Sequence, residues 1–246
     1  MWEFSIEAKQ KNSHLIDYIS ERIENALSSV QGVKSVVSLG DKTCIAIGCD
    51  DVFAKQLEGV LRVVICDTIC EKMKFDFLKN NIDLTLSNEK LFDAFVKVYT
   101  YFDCDLERKI IVRNLVLKDK LVLESFLEFR LQPLKMKWKE MCNLTNSSSN
   151  VFLKSETFVE LLKFLISNLD IKCKCLVIDF NDGCKFYEED GNSLVALVNF
   201  EENDEMGIIT QVIELCPAKL KIICGKDNQI VSTLAELFDK RVEIVK

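Results

Sequence analysis

The sequence predicts a mixed α/β protein, and three observations indicate this fold class. Residues 2–8 alternate apolar and polar side chains, which is the period of a strand with one wet face. Segments such as 155–169 instead place apolar residues three and four positions apart, as amphipathic helices do. The chain contains only 8 glycines and 2 prolines in 246 residues, so long helices are favoured over a turn-rich β-sandwich.

The first predicted unit, 1–82, begins with a strand, a helix and a hairpin. The predicted elements are the strand at 2–8, a helix that ends near Gly32, and two short strands on either side of a turn at Gly40-Asp41. A long helical pattern follows at 51–80. The apolar stripe of its first half lies almost opposite that of its second half, which predicts burial on both faces or a break near Cys66.

The second predicted unit, 83–150, is helical. Two helices, at about 88–102 and 105–117, precede a polar turn at 118–120 and a further helical segment at 123–138. Pro133 predicts a kink or a helix end near Leu131. Asn143 to Asn150, with three consecutive serines, predicts a linker.

Arg130 is the most constrained position of this middle unit. In a continuous helix over 123–138 it lies within an apolar stripe, and the residues three and four positions away offer no carboxylate. A buried guanidinium needs an acid from another part of the fold. The stripe of the 51–80 helix continues through Asp67 and Glu71, which are therefore candidate partners. Arg130 is either half of a structural ion pair or a binding site for an anion or a partner.

The third predicted unit, 151–246, is an α/β unit with a mixed sheet. The predicted elements are a helix from Ser155, strands at 174–180, 184–187 and 194–200, a helix at 205–216, and a final strand, helix and strand at 220–224, 228–239 and 242–245. The short final crossover predicts parallel neighbours. Asp179 ends an apolar strand, where α/β proteins often carry functional carboxylates, so it is a candidate binding residue. The alternative is hairpin-turn chemistry around Asp182-Gly183.

Composition narrows the function classes. With 39 acidic and 32 basic residues the net charge is -7, which argues against a general nucleic-acid surface. No apolar run approaches the 18 or so residues that span a bilayer. The segment Met1-Trp2-Glu3-Phe4 is unlike a signal peptide, so the predicted location is the cytoplasm.

The 11 cysteines predict free buried thiols without disulfides, because their number is odd and most lie inside apolar runs. Cys66 and Cys70 are one helical turn apart, and Cys173 and Cys175 share a strand face. Neither pair completes a metal site, and His14 is the only histidine. The glycines are too isolated to form a phosphate loop. We therefore predict no metal, no cofactor and no catalytic residue.

Three segments resemble the YtxC-like proteins of endospore-forming bacteria, over roughly the last half of the chain. They are Phe126-Leu-Glu-Phe129-Arg130-Leu131, Phe158-Val-Glu-Leu161-Leu162-Lys-Phe164-Leu-Ile166, and an ending with Cys216-Pro217-Ala-Lys-Leu220-Lys-Ile222 and Arg241-Val242-Glu-Ile244. The resemblance implies a role connected with sporulation, whose biochemistry is undefined, and it supplies no catalytic residues.

Two functional hypotheses follow. The first is a non-enzymatic cytoplasmic protein that acts in sporulation through protein contacts, with an unidentified protein partner. The second is an enzyme or small-ligand binder that uses Arg130 with carboxylates such as Asp179 in a polar cleft. An Arg130 that is sealed by an acid favours the first hypothesis, whereas an accessible Arg130 in a deep polar pocket favours the second.

Overall fold

The structure is a computed structural model that describes residues 2–28, 36–40, 43–84, 89–148, 155–181, 183–190, 193–200, 205–225 and 228–245. It is mixed α/β, as predicted. The chain forms two compact units: unit 1 comprises Met1–Asn81 and Asp103–Asn143, and unit 2 comprises Ile82–Phe102 and Leu144–Lys246. The predicted helical middle, 83–150, is thus divided between the two units.

The described residues form ten α-helices, which are interspersed among the strands. They are α1 (Ser13–Ser28), α2 (Ala54–Asp67), α3 (Lys74–Asn81), α4 (Glu89–Tyr101), α5 (Cys104–Asn114), α6 (Leu123–Phe129), α7 (Gln132–Ser147), α8 (Ser155–Ser167), α9 (Glu205–Leu215) and α10 (Gln229–Phe238). In the part of the chain that the structure describes, no helix combines the length and the hydropathy needed to cross a bilayer.

Unit 1 contains a four-stranded sheet with the order β2-β3-β1-β4. Its strands are β1 (Trp2–Glu7), β2 (Val36–Gly40), β3 (Cys44–Cys49) and β4 (Lys120–Val122). The antiparallel pairing of β2 with β3 confirms the predicted hairpin, although Asp41 lies outside the described residues. β4 pairs with β1 in parallel and is an edge strand. Lys120 was predicted as the end of a polar turn, so this strand was missed.

The long helix of unit 1 changes its hydrogen-bonding pattern in the middle. A π-helical segment, Thr68–Met73, joins α2 to α3. Leu57 and Leu61 on the first stripe are buried, and Ile65 and Ile69 on the second stripe are buried as well. The prediction of burial on two faces is confirmed, since both stripes are inside the unit.

A helix break separates α6 from α7. α6 ends at Phe129, and α7 begins at Gln132, so Pro133 occupies the first turn of α7. A proline there removes no intrahelical hydrogen bond, because the first N–H groups of a helix have no partner within it. The predicted end near Leu131 is confirmed, whereas the linker predicted at 143–150 is wrong up to Ser147, where α7 ends.

Unit 2 contains a five-stranded mixed sheet with the order β7-β6-β5-β8-β9. Its strands are β5 (Cys173–Asp179), β6 (Cys184–Asp190), β7 (Ser193–Phe200), β8 (Pro217–Ile223) and β9 (Val242–Val245). β5, β6 and β7 are antiparallel neighbours, whereas β5, β8 and β9 are parallel. The crossover from β8 through α10 to β9 confirms the predicted parallel pair. Gly183, at φ 81°, precedes β6, and Asp182 lies outside the described residues.

Candidate functional site

Arg130 is exposed, so the prediction that its guanidinium is buried is wrong. The reason is the break after α6. The Arg130 N–H donates to the Phe126 carbonyl at 2.9 Å, which closes the last turn of the helix. After this helix end, the buried apolar position is occupied by Leu131, which is 0% exposed, rather than by Arg130. Arg130 therefore lies at a helix end on the surface of unit 1.

Asp67 and Glu71 are buried and ion-paired, as predicted, but with a different arginine. The Arg108 Nη2 atom lies 3.0 Å from Asp67 Oδ1 and 2.8 Å from Glu71 Oε1. Arg22 from α1 adds a contact of 3.1 Å to the second oxygen of Asp67. The pairing of these acids with Arg130 is thus wrong, because α5 rather than the end of α6 packs against the π-helical segment.

A second charged cluster lies deeper in unit 1. The Lys74 Nζ atom is 3.0 Å from Glu107 Oε2, and both side chains are 0% exposed. The indole Nε1 of Trp138 donates to the other carboxylate oxygen at 3.1 Å. Burial raises the pKa of Glu107 above its ordinary value, although the neighbouring Lys74 ammonium acts in the opposite direction. Each oxygen of this carboxylate has a partner, as a buried charge requires.

Cys70 and Cys104 adjoin this cluster. Cys70 lies on the π-helical segment and Cys104 is the first residue of α5. Their sulfur atoms and a carboxylate oxygen of Glu107 all lie within 4.8 Å of one another. The spacing of Cys66 and Cys70 pointed to that pair, and Cys104 was missed because no local spacing links positions on two different helices.

These three ligand atoms do not fit a metal ion. The Lys74 ammonium already contacts Glu107 at 3.0 Å, so a metal cation bound to the same carboxylate would face a buried positive charge at short range. The nearby Lys137 Nζ, 3.9 Å from Glu107 Oε1, adds a further positive charge. We therefore treat Cys70 and Cys104 as a pair of neighbouring thiols rather than as metal ligands.

Asp179 lies in unit 2 and takes part in turn chemistry. Its Oδ1 atom accepts the Asn181 N–H at 2.9 Å, and Asn181 Oδ1 in turn accepts the Gly225 N–H at 3.1 Å. This is the alternative interpretation that the sequence left open. A binding role for Asp179 stays a prediction.

Arg130 lines a surface groove that we call the β4 groove, with a volume of about 400 Å³. The groove residues are Asn114, Val116, Lys120, Leu121, Val122, Ser125, Phe126, Phe129 and Arg130. It follows the edge strand β4, and two of its apolar side chains are largely in solvent: Val116 is 67% exposed and Phe129 is 77% exposed. These groove residues include no histidine, cysteine or carboxylate.

No family model, no curated protein and no solved structure matches the chain. The resemblance to the YtxC-like proteins therefore stays a prediction.

Proposed function

We propose that the chain is a non-enzymatic protein that acts through protein contacts, and that the β4 groove is its contact surface. The observation that carries this proposal is the position of Phe129 and Val116. Both lie largely in solvent beside β4, which is the edge strand of its sheet among the residues that the structure describes. Exposed aromatic side chains beside a free strand are typical of sites that accept an additional strand.

The outer edge of β4 supplies backbone groups for such a strand. The backbone N–H of Ser5 in β1 donates to the Asp119 carbonyl at 2.9 Å. In the parallel register of the two strands, Ser5 lies opposite Lys120. Successive residues of a strand direct their backbone groups to opposite sides. Lys120 and Val122 therefore direct theirs away from β1. In the complex that we propose, the carbonyl of Lys120 and the N–H of Val122 bind the added strand.

The occupant that this groove fits is an extended, apolar and acidic segment of another protein. The Lys120 ammonium already lies 2.7 Å from Glu7, so its charge is partly compensated. Arg130 is exposed at the groove wall, and a guanidinium binds carboxylates through two parallel hydrogen bonds. Apolar side chains of the same segment would cover Phe129 and Val116.

Catalysis by the charged residues of unit 1 is less well supported. The carboxylates of Asp67, Glu71 and Glu107 are buried and already ion-paired with Arg108 or Lys74, which argues against a catalytic role for them. Arg130 is accessible, but five of the nine residues that line its groove are apolar and none is a carboxylate. The structural ion pairs stabilise the unit, and the exposed arginine serves recognition.

The cellular setting that we propose is the cytoplasm of a sporulating bacterium, on the strength of the residues that resemble the YtxC-like proteins. Immunoblotting of the source organism before and after the onset of sporulation tests this setting. We expect the protein to accumulate as sporulation begins. A constant level, or a source organism that forms no endospores, would contradict it without affecting the proposed contact surface.

Binding of a designed peptide tests the β4 groove. We expect a fluorescent peptide of alternating glutamate and valine to bind the full chain, as measured by fluorescence anisotropy. Arg130→Glu should weaken binding roughly tenfold or more, since a charge-assisted hydrogen bond contributes about 1.5–3 kcal/mol. Phe129→Asp should have a similar effect, because it places a carboxylate among the apolar contacts.

Phe164→Asp is the matched control, since Phe164 is 62% exposed but lies in unit 2. This variant should bind the peptide like the wild type. A peptide with lysine in place of glutamate should bind much more weakly. Equal binding of both peptides, no saturable binding, or unchanged binding by both groove variants would overturn the proposed surface.

A further inference from the structure

The two thiols beside the buried ion pair differ in environment, and Cys104 has the more activating one. It begins α5, an 11-residue helix, directly after Asp103, whose φ of 63° turns the chain into the helix. The unpaired N–H groups at a helix N-terminus carry partial positive charge that favours a thiolate. Lys74 and Arg108 add two full positive charges, whereas Glu107 opposes them.

The partner thiol completes this arrangement. The Cys104 thiol lies 3.9 Å from the Cys70 backbone carbonyl and is placed to donate to it, and the two sulfur atoms lie within 4.8 Å of each other. The interaction with the Cys70 side chain lowers the pKa of Cys104, and the charges of Lys74 and Arg108 act in the same direction against burial. The interaction with the Cys104 side chain and burial raise the pKa of Cys70 far above its ordinary value. The pair thus favours a thiolate at Cys104 and a thiol at Cys70.

Burial is the main influence on the pKa of three other buried cysteines. Burial raises the pKa of Cys66 and Cys142 to about 11 and that of Cys184 to about 12. A thiol of this kind is a poor nucleophile at neutral pH, because the thiolate is the reactive form.

We propose that Cys70 and Cys104 are a redox modification site, at which a hydroperoxide converts the two thiols into a disulfide. Two observations carry this inference: the two sulfur atoms lie within 4.8 Å of each other, and Cys104 begins an 11-residue helix beside the buried ion pair of Lys74 and Glu107. Disulfides of this kind in reducing compartments are transient and regulatory.

The oxidation proceeds in two steps. The Cys104 thiolate attacks one oxygen of the hydroperoxide, so an S–O bond forms, the O–O bond breaks and an alcohol or water leaves after taking up a proton. The Cys70 sulfur then attacks the Cys104 sulfenic acid and loses its proton, so the S–S bond forms and water leaves. Two thiols lose two electrons and the hydroperoxide gains them.

The order of the two steps follows from the exposure of the two cysteines and from the position of Cys70 in the fold. Both residues are buried, Cys104 at 5% and Cys70 at 0% exposure, and we assign the first attack to the slightly more exposed Cys104. The sulfur atoms must then approach to about 2.05 Å. Cys70 lies on a π-helical segment, a rare form often found at functional positions, and we assign the required movement to this segment.

Thiol counting on the folded full chain tests the proposal, with hydrogen peroxide as the probe. The wild type has 11 thiols, and we expect a stoichiometric dose at neutral pH to remove two of them. Trapping of the remaining thiols by N-ethylmaleimide, followed by non-reducing peptide mapping, should then show Cys70 linked to Cys104. Dithiothreitol should restore the full count.

Cysteine variants test which thiol reacts with the peroxide and which thiol then forms the disulfide. Cys70→Ser should accumulate a dimedone-reactive sulfenic acid at Cys104, and Cys104→Ser should leave Cys70 as a thiol. Cys142→Ser, another buried cysteine of unit 1, should keep the linkage. Circular dichroism confirms that each variant is folded. Retention of both thiols by the folded wild type, or a linkage between other cysteines at the same dose, would overturn the proposal.

Discussion

Lys74→Met is expected to lower the free energy of unfolding by about 3–5 kcal/mol. The substitution keeps the apolar stem of the side chain but leaves the Glu107 carboxylate buried beside Trp138 without its ammonium partner. Glu107→Gln should cost a similar amount, because it leaves the Lys74 ammonium at 0% exposure without a negative charge. Urea denaturation followed by the fluorescence of Trp138, which is fully buried in the same cluster, measures both effects.

The double variant Lys74→Met/Glu107→Leu should recover most of this loss. Replacement of a buried ion pair by apolar side chains of similar volume is often neutral or stabilising. The Trp138 N–H then lacks its acceptor, which costs about 1–3 kcal/mol. If the two single effects were simply additive in the double variant, the charges of Lys74 and Glu107 would not be energetically coupled, and the ion pair would not act as one structural unit.

Much of the architecture follows from local patterns. The alternation in β1, the hairpin of β2 and β3 and the short crossover from β8 to β9 each depend on residues near one another in the sequence. β4 does not. Its three residues, Lys120–Val122, follow a polar turn, and their extended conformation is stabilised by pairing with β1, more than a hundred residues away.

The charged clusters also depend on contacts between residues that are far apart in the sequence. On α5, Cys104, Glu107 and Ile111 lie three or four positions apart and are all buried, so the acid in this stripe was a signal that the sequence contained. Lys74 likewise lies between Cys70 and Leu78 on one buried stripe. What local spacing does not supply is which stripe packs against which, and therefore that Arg108 rather than Arg130 meets Asp67 and Glu71.

The paired substitutions Arg108→Met and Arg130→Met separate these two arginines. Arg108→Met should lower the free energy of unfolding by about 2–4 kcal/mol, since it leaves two carboxylates, each less than a tenth exposed, facing each other with reduced compensation. The figure lies below that of a fully buried pair because the Arg108 side chain is 29% exposed and Arg22 still contacts Asp67. Chemical denaturation of unit 1 in the full chain is the measurement.

Arg130→Met is the control and should change stability by no more than about 0.5 kcal/mol, because its side chain is at the surface. The same variant should weaken binding of the acidic peptide in the β4 groove. Arg108→Met should leave that binding unchanged at temperatures where the variant is folded. A large loss of stability in Arg130→Met, or none in Arg108→Met, would return the structural role to Arg130 and remove the physical basis for a recognition surface at that residue.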